Sequence, residues 1–236
     1  MGVCYHFGTK VKEDIQKSSE YFVRAARQGD EYSIGRCFEF GYGTMKEDAN
    51  QAVTHYKIAA NQGVAVAQCR LGLSYYHGAE VSKDLMQAVE WYRKAADQGN
   101  VGAQYTLGVC YDNGEGVSKD LTQAVHWYKK AADQGDASAQ YNLGFCYEHG
   151  EGVSEDLKQA FQWYKKAADQ HDGSAQFALG RCYRKGVGVS KDLKRAFQWY
   201  KKCASSRKCC RTIHFGVVLS ERERSFQKHK TSFSMV

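Results

Sequence analysis

The 236-residue chain contains no proline. That separates it from helical repeats whose units carry a proline near their end. It also lacks any apolar run near the roughly 20 residues that span a bilayer, so no membrane span is expected. The N-terminus shows no basic segment leading into an apolar stretch, and no secretory signal is expected. Charge of one sign is scarce over most of the chain. The formal net charge is +7, but residues 1–204 hold 26 basic and 24 acidic side chains (+2), while residues 205–236 hold 7 and 2 (+5). A nucleic-acid groove needs a basic stripe, so no nucleic-acid partner is expected.

What the chain has in abundance is periodicity. Trp91, Trp127, Trp163 and Trp199 fall 36 residues apart, as do Gly72, Gly108, Gly144 and Gly180. A fixed period of this size is the signature of a repeat solenoid, which binds through a surface built from many units. The 16 Tyr, 11 Phe and 4 Trp fall mostly at repeated positions and read as core. The nine cysteines are an odd number. Cys4, Cys37, Cys110, Cys146 and Cys182 occupy one repeated site, two residues after a helix glycine. Equivalent sites in stacked helices lie about 10 Å apart, too far for a disulfide, which needs Cα atoms within about 7 Å. They read as small buried apolar residues, and unpaired thiols point to a reducing, cytoplasmic compartment.

Residues 100–135 give the cleanest unit. Ala103, Leu107 and Tyr111 fall at helical spacing on one apolar face. Gly108 leaves room for close approach of the paired helix. Gly114 and Gly116 break the helix. Ser118 is the expected N-cap of a second helix through Leu121, Ala124, Val125, Tyr128 and Ala132, which ends at a left-handed Gly135. Helix pairs are expected near 64–98, 100–134, 136–170 and 172–204, with a shorter unit near 30–62. Before it, Gly2 to Tyr5 aligns with Gly108 to Tyr111, which places Met1 inside a helix. The expectation is a fragment, a short isoform or a late start. After Ala204 the pattern stops, and residues 205–236 are expected to be a disordered basic tail or a short capping helix.

The loop pattern L-G-x-x-Y-x-x-G-x-G-V and the following D-L-x-x-A-x-x-W-Y-x-K-A-A closely resemble the Sel1-like repeat family. Leu143, Gly144, Tyr147, Gly150, Gly152, Val153, Asp156, Ala160, Trp163, Tyr164, Lys166, Ala167 and Ala168 carry the match, which covers residues 2–204. Glu80 departs at the second loop glycine and His171 at the capping glycine. The resemblance implies an all-α fold, an α-solenoid of about five full 36-residue helix-turn-helix units plus a partial one, related to tetratricopeptide arrays. It implies a non-catalytic scaffold or adaptor, and it leaves the protein or peptide partner open.

Sites that stay constant between units are explained by packing, whereas sites that vary are free to serve a partner. By analogy with tetratricopeptide packing, the first helices line a concave face. Tyr105, Tyr141 and Phe177 form a constant column there. Three neighbouring columns vary: Leu73, Val109, Phe145 and Arg181; Tyr76, Asp112, Glu148 and Arg184; and His77, Asn113, His149 and Lys185. These twelve residues are the candidate partner-binding set, with an apolar anchor near Tyr76 and acid-pairing groups at Arg181, Arg184 and Lys185.

No catalytic constellation appears. His55, His126 and His149 are isolated and read as surface residues. Ser205 to Lys208 is a lone S-x-x-K without companion motifs, and Cys203, Cys209, Cys210 and His214 match no common zinc spacing. No enzyme activity, cofactor or metal is expected. The leading reading is an interaction scaffold. The alternatives are a truncated regulatory or adaptor array from a larger enzyme-linked or membrane-associated complex, and an RNA-binding helical repeat.

Overall fold

A computed structural model describes residues 15–205; the tail and the first repeat's Gly2–Tyr5 lie outside the described residues. Eleven helices and no strand occur among the described residues. The chain divides into two compact units, Met1–Asp120 and Leu121–Val236. The first holds α1 (Ile15–Ala26), α2 (Glu31–Phe40), α3 (Ala49–Asn61), α4 (Ala65–His77), α5 (Leu85–Asp97) and α6 (Val101–Asn113). The second holds α7 (Leu121–Asp133), α8 (Ala137–His149), α9 (Leu157–Asp169), α10 (Gly173–Lys185) and α11 (Leu193–Ser205). Within each unit every helix packs on its neighbours in sequence, the nearest-neighbour pattern of an α-solenoid.

Each first helix buries one stripe of small and branched residues. Leu71, Leu107, Leu143 and Leu179 are fully enclosed, together with alanines such as Ala67, Ala103, Ala139 and Ala175. Each first helix closes at a glycine in the left-handed region, for example Gly114 (φ 76°) and Gly150 (φ 68°). There the glycine N–H donates to the carbonyl of the repeated cysteine, Cys110 or Cys146. Aspartates cap the second helices: Asp48, Asp84 and Asp156 accept from the N–H groups of Gln51, Gln87 and Gln159. The expected cap Ser118 lies three residues before the start of α7 at Leu121. A side chain two residues before the cap position is too far back to reach the first free N–H groups, whereas an aspartate directly before the helix can.

Tyrosine rings fill the space above the helix glycines. A Cβ at Gly72 would come 2.7 Å from the Tyr92 ring, and one at Gly144 would come 2.8 Å from that of Tyr164. The loop glycines do a different job. At Gly116, Gly152 and Gly188 a Cβ would overlap the carbonyl oxygen of Leu85, Leu121 and Leu157, the first residue of the preceding repeat's second helix. These glycines therefore let one repeat's loop rest on the backbone of the repeat before it.

A column of glutamines ties repeats together by polar contacts. Gln68, Gln104 and Gln140 are buried, and each amide donates to a carbonyl at the end of the preceding second helix: Ala60 (3.1 Å), Ala96 (3.0 Å) and Ala132 (3.1 Å). Gln98 and Gln170 donate in turn to the Oε1 of Gln68 and Gln140. Buried helix-end carbonyls need such partners.

The repeated cysteines Cys37, Cys110, Cys146 and Cys182 are buried; Cys4 lies outside the described residues. Burial pushes the Cys110 thiol from an ordinary 9.0 up to about 11 and the Cys182 thiol up to about 12. A raised folded value means that the folded state holds the proton more tightly. This stabilisation is complete below pH 9 and is lost as pH rises through the folded values. Urea unfolding followed by circular dichroism should therefore show lower stability at pH 10.5 than at pH 8. Gly152→Ala should destabilise the chain by about 3 kcal/mol, because it adds a backbone overlap to a positive φ. Gly135→Ala, at φ 96° but with nothing within 4 Å of a Cβ, should cost about 1 kcal/mol in the same titration.

Candidate functional site

The varying columns lie on the first helices. In the first unit, Leu73 and Tyr76 on α4 are half-buried and His77 is exposed. The His77 ring sits edge-on to Tyr76, with centroids 5.1 Å apart. The Tyr76 hydroxyl donates to Glu115 Oε2 at 2.6 Å, so the expected apolar anchor has its polar end engaged by the next loop. On α6, Val109 and Asp112 are half-buried and Asn113 is exposed.

In the second unit, Phe145 and His149 on α8 are exposed and stack at 4.1 Å, one helical turn apart. Glu148 is half-buried. It accepts from the Tyr164 hydroxyl at 2.7 Å and forms an ion pair with Arg181. On α10, Arg181 and Arg184 are half-buried and Lys185 is exposed. The structure thus joins Glu148, Arg181 and Tyr164 into one cluster and leaves Phe145, His149 and Lys185 at the surface. Arg181, expected to meet an acid of a partner, meets one within its own unit.

Sequence reasoning missed the counterpart of this cluster in the first unit. Glu39 accepts from the Tyr56 hydroxyl and from Arg70 at 3.1 Å, and Arg36 lies 3.2 Å from the same carboxylate. Glu39 follows Gly35 by four residues, as Glu148 follows Gly144. That spacing was available in the sequence, but the irregular first full unit obscured it. Burial and the neighbouring carboxylate push the phenols of Tyr56 and Tyr164 well above their ordinary range. Both hydroxyls are therefore held as donors.

The constant aromatics are packing groups. Tyr141 and Phe177 lean on Tyr164 and Tyr200 with centroids 5.6 and 5.5 Å apart. Each repeated tryptophan carries a lysine ammonium over its ring, from Lys166 on Trp163 at 3.8 Å to Lys130 on Trp127 at 4.2 Å. His55, expected at the surface, is tied to Glu31 at 2.6 Å and stacked on Phe38, because the pair of helices α2 and α3 brings these residues together. Among the described residues no three His, Cys, Asp or Glu side chains are placed to hold a metal ion. No described helix is long and apolar enough to cross a membrane.

Helix pairs stacked by their own loops, with an exposed face whose chemistry changes from unit to unit, define an α-solenoid interaction module. Six consecutive matches to the Sel1 repeat model, over residues 1–30, 31–64, 65–100, 101–136, 137–172 and 173–206, show that the chain belongs to the Sel1 repeat family. A Sel1 repeat protein from Oxalobacter formigenes is 35% identical, with a TM-score of 0.71 over 86% of this chain and 83% of that one. A protective antigen of uropathogenic Escherichia coli displaying the same repeat fold is also 35% identical, with a TM-score of 0.72 over 86% of this chain and 44% of that one. A sel1-like repeat-containing protein of Acanthamoeba polyphaga mimivirus is 33% identical over 78 residues, which is 33% of this chain and 14% of the viral protein. The chain thus spans less than half the length of these last two relatives. Sel1 repeat proteins generally mediate protein–protein interaction, and the family is generally non-catalytic.

The core tyrosines give a direct test of the hydroxyl network. Tyr164→Phe removes a donor to a carboxylate and should destabilise the chain by about 2 kcal/mol. The Tyr92 hydroxyl is buried without a hydrogen-bond partner, so Tyr92→Phe should change stability by less than about 0.5 kcal/mol or increase it. Parallel urea titrations of the two variants check the contrast.

Proposed function

We propose that this chain is a non-catalytic scaffold that holds a protein or peptide segment against the exposed face of its first helices. The observation that carries the reading is the stacked pair Phe145 and His149 together with Lys185, three solvent-facing groups in columns whose side chains vary between repeats. Constant positions of the same helices are consumed by the core, the loop contacts and the glutamine column. Aromatic and basic side chains such as Trp, Tyr and Arg are enriched among the residues that dominate binding energy at interfaces. In the first unit the matching face offers His77 and Asn113 at the surface beside half-buried Leu73, Tyr76, Val109 and Asp112. The difference between the two faces favours a partner that reads more than one repeat.

The reading includes an adaptor role in a reducing, cytoplasmic compartment, supported by the unpaired thiols of Cys37, Cys69, Cys110 and Cys182. Partner recognition should rest on the exposed groups and not on Arg181, whose charge reversal would set two carboxylates side by side at Glu148. Affinity capture with quantitative mass spectrometry, using the full chain as bait, tests this. A protein retained by the wild type should be depleted about tenfold by Phe145→Ala combined with Lys185→Glu, while the variant's melting temperature stays within a few degrees. Equal retention by the two baits would remove the face from the reading.

A further inference from the structure

One repeat junction is built differently from the three that follow it. At three junctions the second loop glycine lies against the leucine that opens the preceding repeat's second helix: Gly116 on Leu85, Gly152 on Leu121 and Gly188 on Leu157. At the junction of α3 with the α4–α5 loop the same two positions are Ala49 and Glu80. Both halves of the contact have changed. The leucine has lost its side chain beyond Cβ, and the glycine has become a glutamate held at φ 59°. Glutamate in the left-handed region is costly relative to glycine. Glu80 and His171 are the two non-glycine residues with positive φ among the described residues.

A cavity of about 270 Å3 opens at this junction. Its walls include Ala49, Ala52 and Val53 of α3, Leu73 and His77 of α4, and Ala79 and Glu80 of the loop. At the three later junctions the residue equivalent to Ala49 is a leucine, so an aliphatic side chain is what this place lacks relative to them. Charge selects the rest of the ligand. Glu39 and Arg70, at the cavity's inner side, are already paired with each other, and Glu39 also accepts from Tyr56. Glu80 is exposed and enters no ion pair among the described residues. The mouth therefore presents one carboxylate whose charge is not balanced locally.

We propose that this cavity is a binding site for a segment of a partner protein that inserts a leucine-sized aliphatic side chain beside Ala49 and sets a neighbouring basic side chain against Glu80. The aliphatic group replaces the leucine that the repeat omits here, and the basic group meets the carboxylate that replaces the glycine. The biological role rests on the partner-binding reading above. The chemistry of the site can be measured without a partner, so a failure here leaves the capture experiment standing, and the reverse also holds.

The probe is N-acetyl-leucyl-lysine amide, titrated into the full chain labelled at its alanine methyl groups and followed by NMR. Saturable shifts are expected at Ala49, Ala52 and Ala79. N-acetyl-alanyl-lysine amide should bind about tenfold more weakly, the loss expected for an aliphatic side chain left unburied. N-acetyl-leucyl-glutamate amide should also bind more weakly than the lysyl probe. Ala49→Leu restores the repeat's own leucine and should abolish the shifts at Ala52 and Ala79, with thermal unfolding showing a fold at least as stable. Glu80→Gln should leave leucine binding intact and make the lysyl and glutamyl probes equal. The absence of saturable shifts in the wild type, or undiminished binding by Ala49→Leu, would overturn the site. A lysyl preference surviving in Glu80→Gln would overturn the assigned role of Glu80.

Discussion

A tyrosine ring laid over a helix glycine is the contact on which the rest of each repeat depends. At Gly35, Gly72, Gly144 and Gly180 the ring of Tyr56, Tyr92, Tyr164 or Tyr200 occupies the space that a Cβ would need. Two helices can approach that closely only where one has no side chain. The approach has a second effect, because a phenol ring is long. Once its body is fixed over the glycine, the hydroxyl is carried to the level of the residue four positions further along the first helix. In the described pairs that residue is Glu39, Tyr76, Glu148 or Arg184. A packing contact thereby reaches into a column that otherwise varies freely between repeats.

The consequence is that variation in this column has two meanings. At Glu39 and Glu148 the tyrosine hydroxyl donates to the acid and an arginine of the next first helix joins, Arg70 in one case and Arg181 in the other. These are partly buried, charge-assisted contacts, whose worth exceeds that of an exposed pair. They lock neighbouring repeats to one another. Where the column holds Tyr76, the acid is missing, the Tyr92 hydroxyl stays unpartnered and the Tyr76 hydroxyl turns to Glu115. The groups left exposed are then those one position further out, His77, Asn113, His149 and Lys185, together with Phe145. Half-buried polar variation in a repeat is in this sense a record of internal pairing, and exposed variation is the part that a ligand can read.

Much of the fold was legible because the determinants are periodic. The 36-residue spacing of Trp127 and Trp163, the helix glycines and the loop glycines gave the helix pairs, their limits and the family resemblance. Two kinds of feature were not legible. Contacts between repeats connect residues about 30 positions apart, as with Gln170 and Gln140. The period shows that such residues recur but not that they touch. Capping depends on single positions. Ser118 and Asp120 are both good cap residues, and only the helix start at Leu121 decides between them. The pairing of Glu148 with Arg181 was hidden for a related reason: the two were read as separate columns, whereas stacking sets adjacent columns of successive repeats against each other.

Departures from the repeat carry unequal information, and the two non-glycine residues at positive φ show why. His171 stands where Gly63, Gly99 and Gly135 have nothing within 4 Å of a Cβ. A side chain there bears the backbone strain and meets no neighbour, so the rest of the repeat need not change. Glu80 stands where Gly116, Gly152 and Gly188 lie on a backbone carbonyl. A side chain there requires the opposing backbone to shift, and the same junction carries Ala49 where the three later ones carry leucine. One substitution is a local tolerance, and the other lies beside a second change and a cavity lined by residues of two repeats. An exception in a repeat is therefore informative in proportion to how tightly the regular residue is enclosed at its equivalent positions. By that measure the junction of Ala49 and Glu80 is where this array departs most from the rule that builds it.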